Sequence, residues 1–414
     1  MRWTFVFLMP MLLGADWPRF LGPDGSGRSP DNVPTEWSST KSLKWKFDLP
    51  GPGSSSPIVV GSRVFVTCFT TEGMALKERY LVCIDRKSGK EKWKKVLPAD
   101  KGEDPYRGFI TDHGYASNTP ASDGERVYAF WGKGGVAAYD LDGKELWRKS
   151  VGKMSSSRRW GSAASVMLHK EAVIINAAEE GRALFAFDRK TGKELWKTEA
   201  EGLELCYGTP AVLKREGREE LVLAVAGELW AINPETGKLR WFATTEAEGN
   251  LAASVAISGE TVVLTGGFPN TRMQAFKAGT KGDATKNALW SMAGSYVPSP
   301  VIHEGLALCV NDQGIATAVD LKTGKEASRL RLPVGGGGGG FSRPVYATAV
   351  VSGKHLIAVT RRSGTFVLTA GKEIKRVAHN KLDDDSAFNA TPAVSDGELF
   401  LRSDRALYCI GGKE

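Results

Sequence analysis

Five histidines (His113, His169, His303, His355, His379), five cysteines (Cys68, Cys83, Cys206, Cys309, Cys409) and the run Asp383-Asp384-Asp385 are where side-chain chemistry is first sought. The histidines are scattered, and no Ser-His-Asp set, HExxH pair or paired-carboxylate arrangement can be assigned around them, so no catalytic residue is expected. An odd number of cysteines without a CxxC pair argues against a metal cluster or disulfide framework. Cys83 and Cys409 lie in the matching phrases Leu-Val-Cys-Ile and Leu-Tyr-Cys-Ile, which places them as small apolar residues in core strands. Three consecutive carboxylates supply the hard oxygens that calcium takes. On a polar loop, however, they read more simply as solvated charge, and no metal site is expected.

The elements that position these residues come from a repeated phrase: an apolar strand ending in Asp or Asn, a Gly-Lys turn, then Trp. It runs Leu81-Val-Cys-Ile-Asp85 to Gly89-Lys90 and Trp93, Val136 to Asp140, Gly143 and Trp147, Leu184 to Asp188, Gly192 and Trp196, and Leu229 to Asn233, Gly237 and Trp241. Repeats of about 45–54 residues are the range of propellers and solenoids. Trp45, Trp93, Trp147, Trp196, Trp241 and Trp290 each offer a broad apolar face for docking between neighbouring repeats. Ser328 and Lys375 stand where the sixth and seventh repeats would carry Trp, which predicts looser packing there.

Each repeat opens with a Thr/Ser-Pro-x-Val-like segment: Ser55-Ser56-Pro57, Thr119-Pro120, Ser162-Ala163, Thr209-Pro210, Ala253-Ser254, Ser299-Pro300, Ala347-Thr348 and Thr391-Pro392. Short alternating strands bounded by Asp-Gly, Ser-Gly and Thr-Gly turns are four-stranded antiparallel blades in sequence. The fold class is all-β, an eight-bladed β-propeller. The last repeat is one strand short, and Leu43-Lys-Trp45-Lys-Phe-Asp-Leu49 has the missing fourth-strand pattern. N- and C-terminal strands are therefore expected to pair and close the ring, which otherwise leaves an open edge.

First strands of blades line a central channel, so the residues before them should crown a funnel. Those positions carry His113, Tyr115, Asn118, Arg159, Trp160, Tyr207, Asn250, Tyr296, Phe341, Arg343, Phe388 and Asn389. Such a crown can hold a sugar, a peptide or an anionic ligand by stacking and polar contact. Gly335 to Gly340 has no side chains to pack and no P-loop context, so it is expected as a mobile connection without a phosphate cradle.

The chain has 414 residues, 42% hydrophobic and 25% charged, with 48 glycines, enough for a large core cut by many turns. One propeller domain over residues 16–414 is expected. The net charge of +8 and pI near 9.1 arise largely from lysines of the repeated turn, so they form a solvated rim, and nucleic acid is not expected as a partner. Arg2, the apolar run Trp3 to Leu13, and Gly14-Ala15 before Asp16 have the pattern of an export signal spanning residues 1–15. The run is too short for a bilayer span. Leu12-Leu13-Gly14-Ala15 approaches a lipoprotein site but has Ala15 where Cys would be, so the expectation is an exported, unlipidated protein, periplasmic or extracellular.

The phrase Asp-x-x-Thr/Ser-Gly-Lys-Glu-x-Trp resembles the pyrroloquinoline quinone (PQQ) repeat of the quinoprotein alcohol dehydrogenase-like superfamily, and especially its BamB-like members without a dehydrogenase apparatus. The resemblance covers nearly the whole chain from Asp16 to Cys409. It implies a protein-interaction scaffold or binding module, with protein partners and no resident cofactor. Two alternatives stay open: a PQQ-dependent oxidoreductase with calcium, and a carbohydrate-binding propeller. The family's enzymes often carry a vicinal cysteine disulfide, and this chain has no adjacent cysteine pair.

Overall fold

The computed structural model describes residues 16–100, 102–215, 217–335 and 343–412. The export-signal reading of residues 1–15 and most of the glycine run, with Phe341, lie outside them.

Eight sheets contain four consecutive antiparallel strands each, the eighth borrowing one from the other end of the chain. Blade 1 comprises Ile58–Val60, Arg63–Glu72, Ala75–Asp85 and Glu91–Pro98, and blade 3 comprises Met167–His169, Ala172–Ala177, Ala183–Asp188 and Glu194–Glu199. Second strands such as Ala172–Ala177 are buried throughout and, but for Asn176, apolar, whereas fourth strands such as Glu91–Pro98 alternate with solvent. The apolar clusters lie between adjacent blades: one joins Tyr128, Trp147, Ile175 and Phe187 across blades 2 and 3.

The repeated phrase is a docking device. The Asp188 carboxylate accepts hydrogen bonds from the Thr191 N–H and Oγ1 at 2.8 and 2.7 Å, a local loop that closes the turn. Gly192 follows at φ +69°, and a Cβ there would stand 2.7 Å from the Trp147 ring of the preceding blade. Glycine is thus required twice, by its backbone and by its neighbour. Trp147 Nε1 then donates to the Arg189 carbonyl at 3.1 Å. The same pairs recur as Trp45 on Gly89, Trp93 on Gly143, Trp196 on Gly237 and Trp290 on Gly324. Trp241 differs, because Gly282–Asp283 from the following blade pairs in parallel with its strand, and Nε1 donates to the buried Glu220 at 3.0 Å.

Inside, a second ring links the first strands. The backbone N–H of Ser56 donates to Thr119 Oγ1, Thr119 to Ser165, Ser165 to Thr209, Thr209 to Ser254, Ser254 to Ser299, Ser299 to Thr348, and Thr348 to Thr391, at 2.8–3.2 Å. Between blades 8 and 1 the fully buried Arg402 donates to the Ser55 carbonyl at 2.9 Å and to its hydroxyl.

Leu43–Asp48 pairs antiparallel with Ala406–Ile410 and completes the last blade, as the sequence pattern requires. Trp45 Nε1 donates across the seam to the Arg86 carbonyl at 2.7 Å, and Arg86 pairs with Glu398 at 2.7 Å. Before this strand the chain crosses the underside of the ring. Trp17 bridges to Val59 of blade 1, and Arg28–Ser29 pairs in parallel with Val351–Ser352 of blade 7.

At the tryptophan place of blade 6, Ser328 stands opposite Ala318 and accepts a hydrogen bond from the Ile374 N–H at 3.0 Å, a polar link in place of an aromatic one. In blade 7 the position assigned to Lys375 belongs instead to Ala378, opposite Val367 as Trp196 is opposite Ala186. Gly371 is not the turn glycine of the other blades: Thr369 closes this hairpin, donating to the Glu373 carbonyl and accepting from Lys375 N–H. Trp37 from the underside segment joins the cluster against which Ala378 packs, so aromatic bulk arrives from elsewhere.

Trp147→Ala is expected to lower unfolding free energy by about 3–5 kcal/mol, and its exposed neighbour Leu146→Ala by less than about 0.5 kcal/mol. Guanidinium melts of the two variants give this contrast, and equal losses would contradict the docking role.

Candidate functional site

The funnel opens on the face opposite the underside segment. Its inner cavity of about 150 Å³ is lined by the eight hydroxyl residues of the first strands, by Phe20 from the underside segment, and by an aromatic collar. Each hydroxyl that accepts a neighbour's N–H still has its own hydrogen to donate. A second cavity of about 340 Å³ adjoins at blades 5 and 6, with Arg158, Asn250, Phe268, Asp312 and Arg343 on its wall. Phe109, Trp160 and Tyr296 line both.

The collar is a chain of ring contacts, tilted, edge-on and stacked. Phe109 lies 4.7 Å from Trp160 and 6.3 Å from Tyr346, and Trp160 lies 6.4 Å from Tyr207, centroid to centroid. Arg158 sits over the Trp160 ring at 5.8 Å. Phe109 arrives on the connection between Pro98 and Ala121, within the short 3-10 helix Gly108–Asp112. Asp112 ties this connection across the mouth: it pairs with Arg361 of blade 7 at 3.3 Å, accepts from Tyr346 at 3.2 Å, and its carbonyl accepts from Asn389 at 3.0 Å.

Of the residues expected at the crown, His113, Trp160, Tyr207, Tyr296 and Asn389 line the inner cavity, and Asn250 and Arg343 the outer one. Burial pushes the His113 imidazole down to about 4, so it stays neutral, with Nδ1 2.8 Å from Ser117 Oγ. Tyr115 is elsewhere, buried against Phe69 with its hydroxyl on the Asp104 carbonyl. Asn118 is a joint between blades, donating to Ser162 and to the Ala164 carbonyl at 3.0 and 2.7 Å. Arg159 is exposed with φ +54° and touches neither cavity, and Phe388 is buried in the last blade beside Tyr408. Phe109, Arg158, Phe268 and Tyr346 were not anticipated.

A separate pocket of about 20 Å³, room for about one water, lies where blades 1, 2 and 3 and the connection after blade 1 meet. Arg79 pairs with Glu103 at 2.7 Å and Lys133 with Asp104 at 3.1 Å, while both Glu179 oxygens and Glu180 Oε2 are buried without a hydrogen-bond partner. Burial raises the Glu179 carboxyl to about 7 and, with the neighbouring Glu179 charge, Glu180 to about 8. Asp384 of the triple-aspartate run turns inward and accepts from Tyr408 at 2.7 Å and Ser403 at 2.5 Å, and Asp385 pairs with Arg405. All five cysteines are buried and free.

A quinone over calcium needs several oxygens converging on the metal beside an open stacking face. Among the described residues no three His, Cys, Asp or Glu groups are placed to hold a metal. Phe109 covers Trp160, and the unpartnered glutamates lie in their own small pocket beside Arg79 and Lys133. This arrangement does not fit that unit. Also among the described residues, no helix is long and apolar enough to cross a membrane.

A family model described as outer membrane protein assembly factor BamB matches residues 77–329, more than half of the chain. No curated protein matches by sequence. Among solved structures, BamB from Moraxella catarrhalis is similar at 11% identity over 89% of this chain and 99% of that one, with a TM-score of 0.59. A quinohemoprotein alcohol dehydrogenase from Pseudomonas putida aligns at 13% identity over 97% of this chain and 81% of its own, also at 0.59. The computationally designed Ika8 protein aligns at 13% identity over 88% and 99%, at 0.58. At such identities the likeness is one of fold, which does not select a function.

Both glutamates have folded-state pKa values above their unfolded ones, so the stability they contribute is complete below about pH 4.5 and is lost as pH rises through about 7 and about 8. The wild-type thermal midpoint is expected to fall between about pH 4.5 and 8, and Glu179→Gln/Glu180→Gln to flatten that fall. Thermal melts across this range check it, and parallel curves would contradict it.

Proposed function

We propose that this chain, which belongs to the BamB-like family of PQQ-type repeat propellers, is an exported binding propeller that holds a partner protein at its funnel face. The observation that supports this reading is the aromatic collar of Phe109, Trp160, Tyr207, Tyr296 and Tyr346 above a floor of hydroxyls. Stacking faces with polar groups at their rim suit recognition more than bond-breaking, because none of the collar residues pairs a nucleophile with a base. Phe20 of the underside segment lines the inner cavity from the far side. Its place is the periplasm or the extracellular space, and its rigid ring serves as scaffold.

Crosslinked capture from an envelope fraction tests the reading. Trp160→Ala is expected to lower partner recovery by about tenfold, while Leu195→Ala on an outer strand leaves it unchanged. Equal recovery from both variants would remove the funnel from the account. Titration with PQQ and calcium is the competing test: a stoichiometric bound quinone spectrum would favour an oxidoreductase instead.

A further inference from the structure

The collar is built from the connections between blades, and Phe109 reaches it from the long connection after blade 1. Phe109 is carried by the connection between Pro98 and Ala121, whose own anchor is elsewhere: Ile110 is fully buried with Phe69, Tyr106 and Tyr115 in a small separate cluster. Phe109 itself is only half-buried. Its ring reaches over the funnel to face Trp160 of the blade 2–3 connection and Tyr346 of the blade 6–7 connection, and with Trp160 and Tyr296 it lines both cavities. A half-buried phenyl ring at an aromatic collar reports what the collar accepts: a planar apolar ring of this size.

The charge around the ring is equally specific. Arg158 lies over the Trp160 face, is exposed, and forms no ion pair among the described residues. Arg343 lies 3.6 Å from Asp312, and Arg361 3.3 Å from Asp112. Arg343 and Arg361 are thus each paired with a carboxylate, while Arg158 is not. A planar guanidinium beside an aromatic face is suited to a carboxylate flanking a stacked ring.

We propose that the funnel mouth is a receptor for an extended protein segment bearing an aromatic side chain flanked by acidic residues, and that Phe109 occupies the ring's place when no partner is bound. This rests on the funnel reading above and specifies its partner. The partner's ring replaces Phe109 against Trp160, and its carboxylate pairs with Arg158. Phe109 then acts as a built-in competitor that lowers the affinity of every segment, so that only those with both features still bind.

The test uses the full chain and a fluorescein-labelled Gly-Asp-Phe-Asp-Gly peptide, followed by fluorescence anisotropy. Phe109→Ala is expected to bind it at least about tenfold more tightly than wild type. Binding is expected to drop about tenfold with Gly-Asp-Ala-Asp-Gly, with Gly-Lys-Phe-Lys-Gly, or when Arg158→Ala is added. If Phe109→Ala does not fold, wild type at higher peptide concentration is expected to show the same ranking of the three peptides. Absent binding, or binding indifferent to the peptide's Phe and Asp, would overturn the proposal. Such a failure with Trp160-dependent partner capture retained would overturn the segment chemistry alone and leave the funnel reading standing.

Discussion

The hydrogen bond from a backbone N–H two residues ahead of a first strand to the Ser or Thr hydroxyl of the next blade is the constraint on which the rest of the molecule depends. First strands crowd around the axis, where their inner edge has no neighbouring strand to pair with and little access to water. A buried N–H left unmade costs about 1–3 kcal/mol. A β-hydroxyl placed one blade further round satisfies it without adding a strand. Seven of the eight junctions use this link, and the eighth uses Arg402, whose guanidinium spans from blade 8 to Ser55. The same hydroxyls then face the channel, so the device that closes the ring also makes the funnel floor polar.

The outer tryptophans do the complementary work at larger radius. Each places an apolar face on a glycine of the next hairpin and an indole N–H on a nearby acceptor, so neighbouring blades are held at two radii and cannot hinge freely. The seam between blades 8 and 1 carries both the paired end strand and the Arg86–Glu398 bridge. Closure from two ends of the chain ties local stability to the whole. The underside segment adds a further constraint, since Phe20 reaches the cavity floor from one face while Phe109 reaches its mouth from the other.

Features governed by the repeat were legible in the sequence; features that break it were not. Eight opening segments and the displaced fourth strand at Leu43–Asp48 follow from spacing, because each strand repeats one solution to one packing problem. The opening Thr or Ser was visible as part of the motif, but its role as acceptor for a neighbouring blade is a three-dimensional relation with no periodic signal beyond its presence. Lys375 was misassigned because counting from Gly371 assumes a turn that Thr369 replaces. Residues before first strands were a sound place to look for the funnel, yet Tyr115 and Asn118 turn into joints. Phe109 lies on a connection with no counterpart in other repeats, where the sequence offers no register at all. Glu179 and Glu180 belong to no motif of the repeat, and only tertiary packing buries them.

Native-state hydrogen exchange on the amides just ahead of the first strands tests the closed ring most directly. If the hydroxyl links couple the blades into one cooperative unit, the amides of Ser56, Thr119, Ser165, Thr209, Ser254, Ser299 and Thr348 exchange together, with the free energy of global unfolding. Exchange that proceeds blade by blade, with free energies graded along the chain as in an open repeat array, would contradict the account.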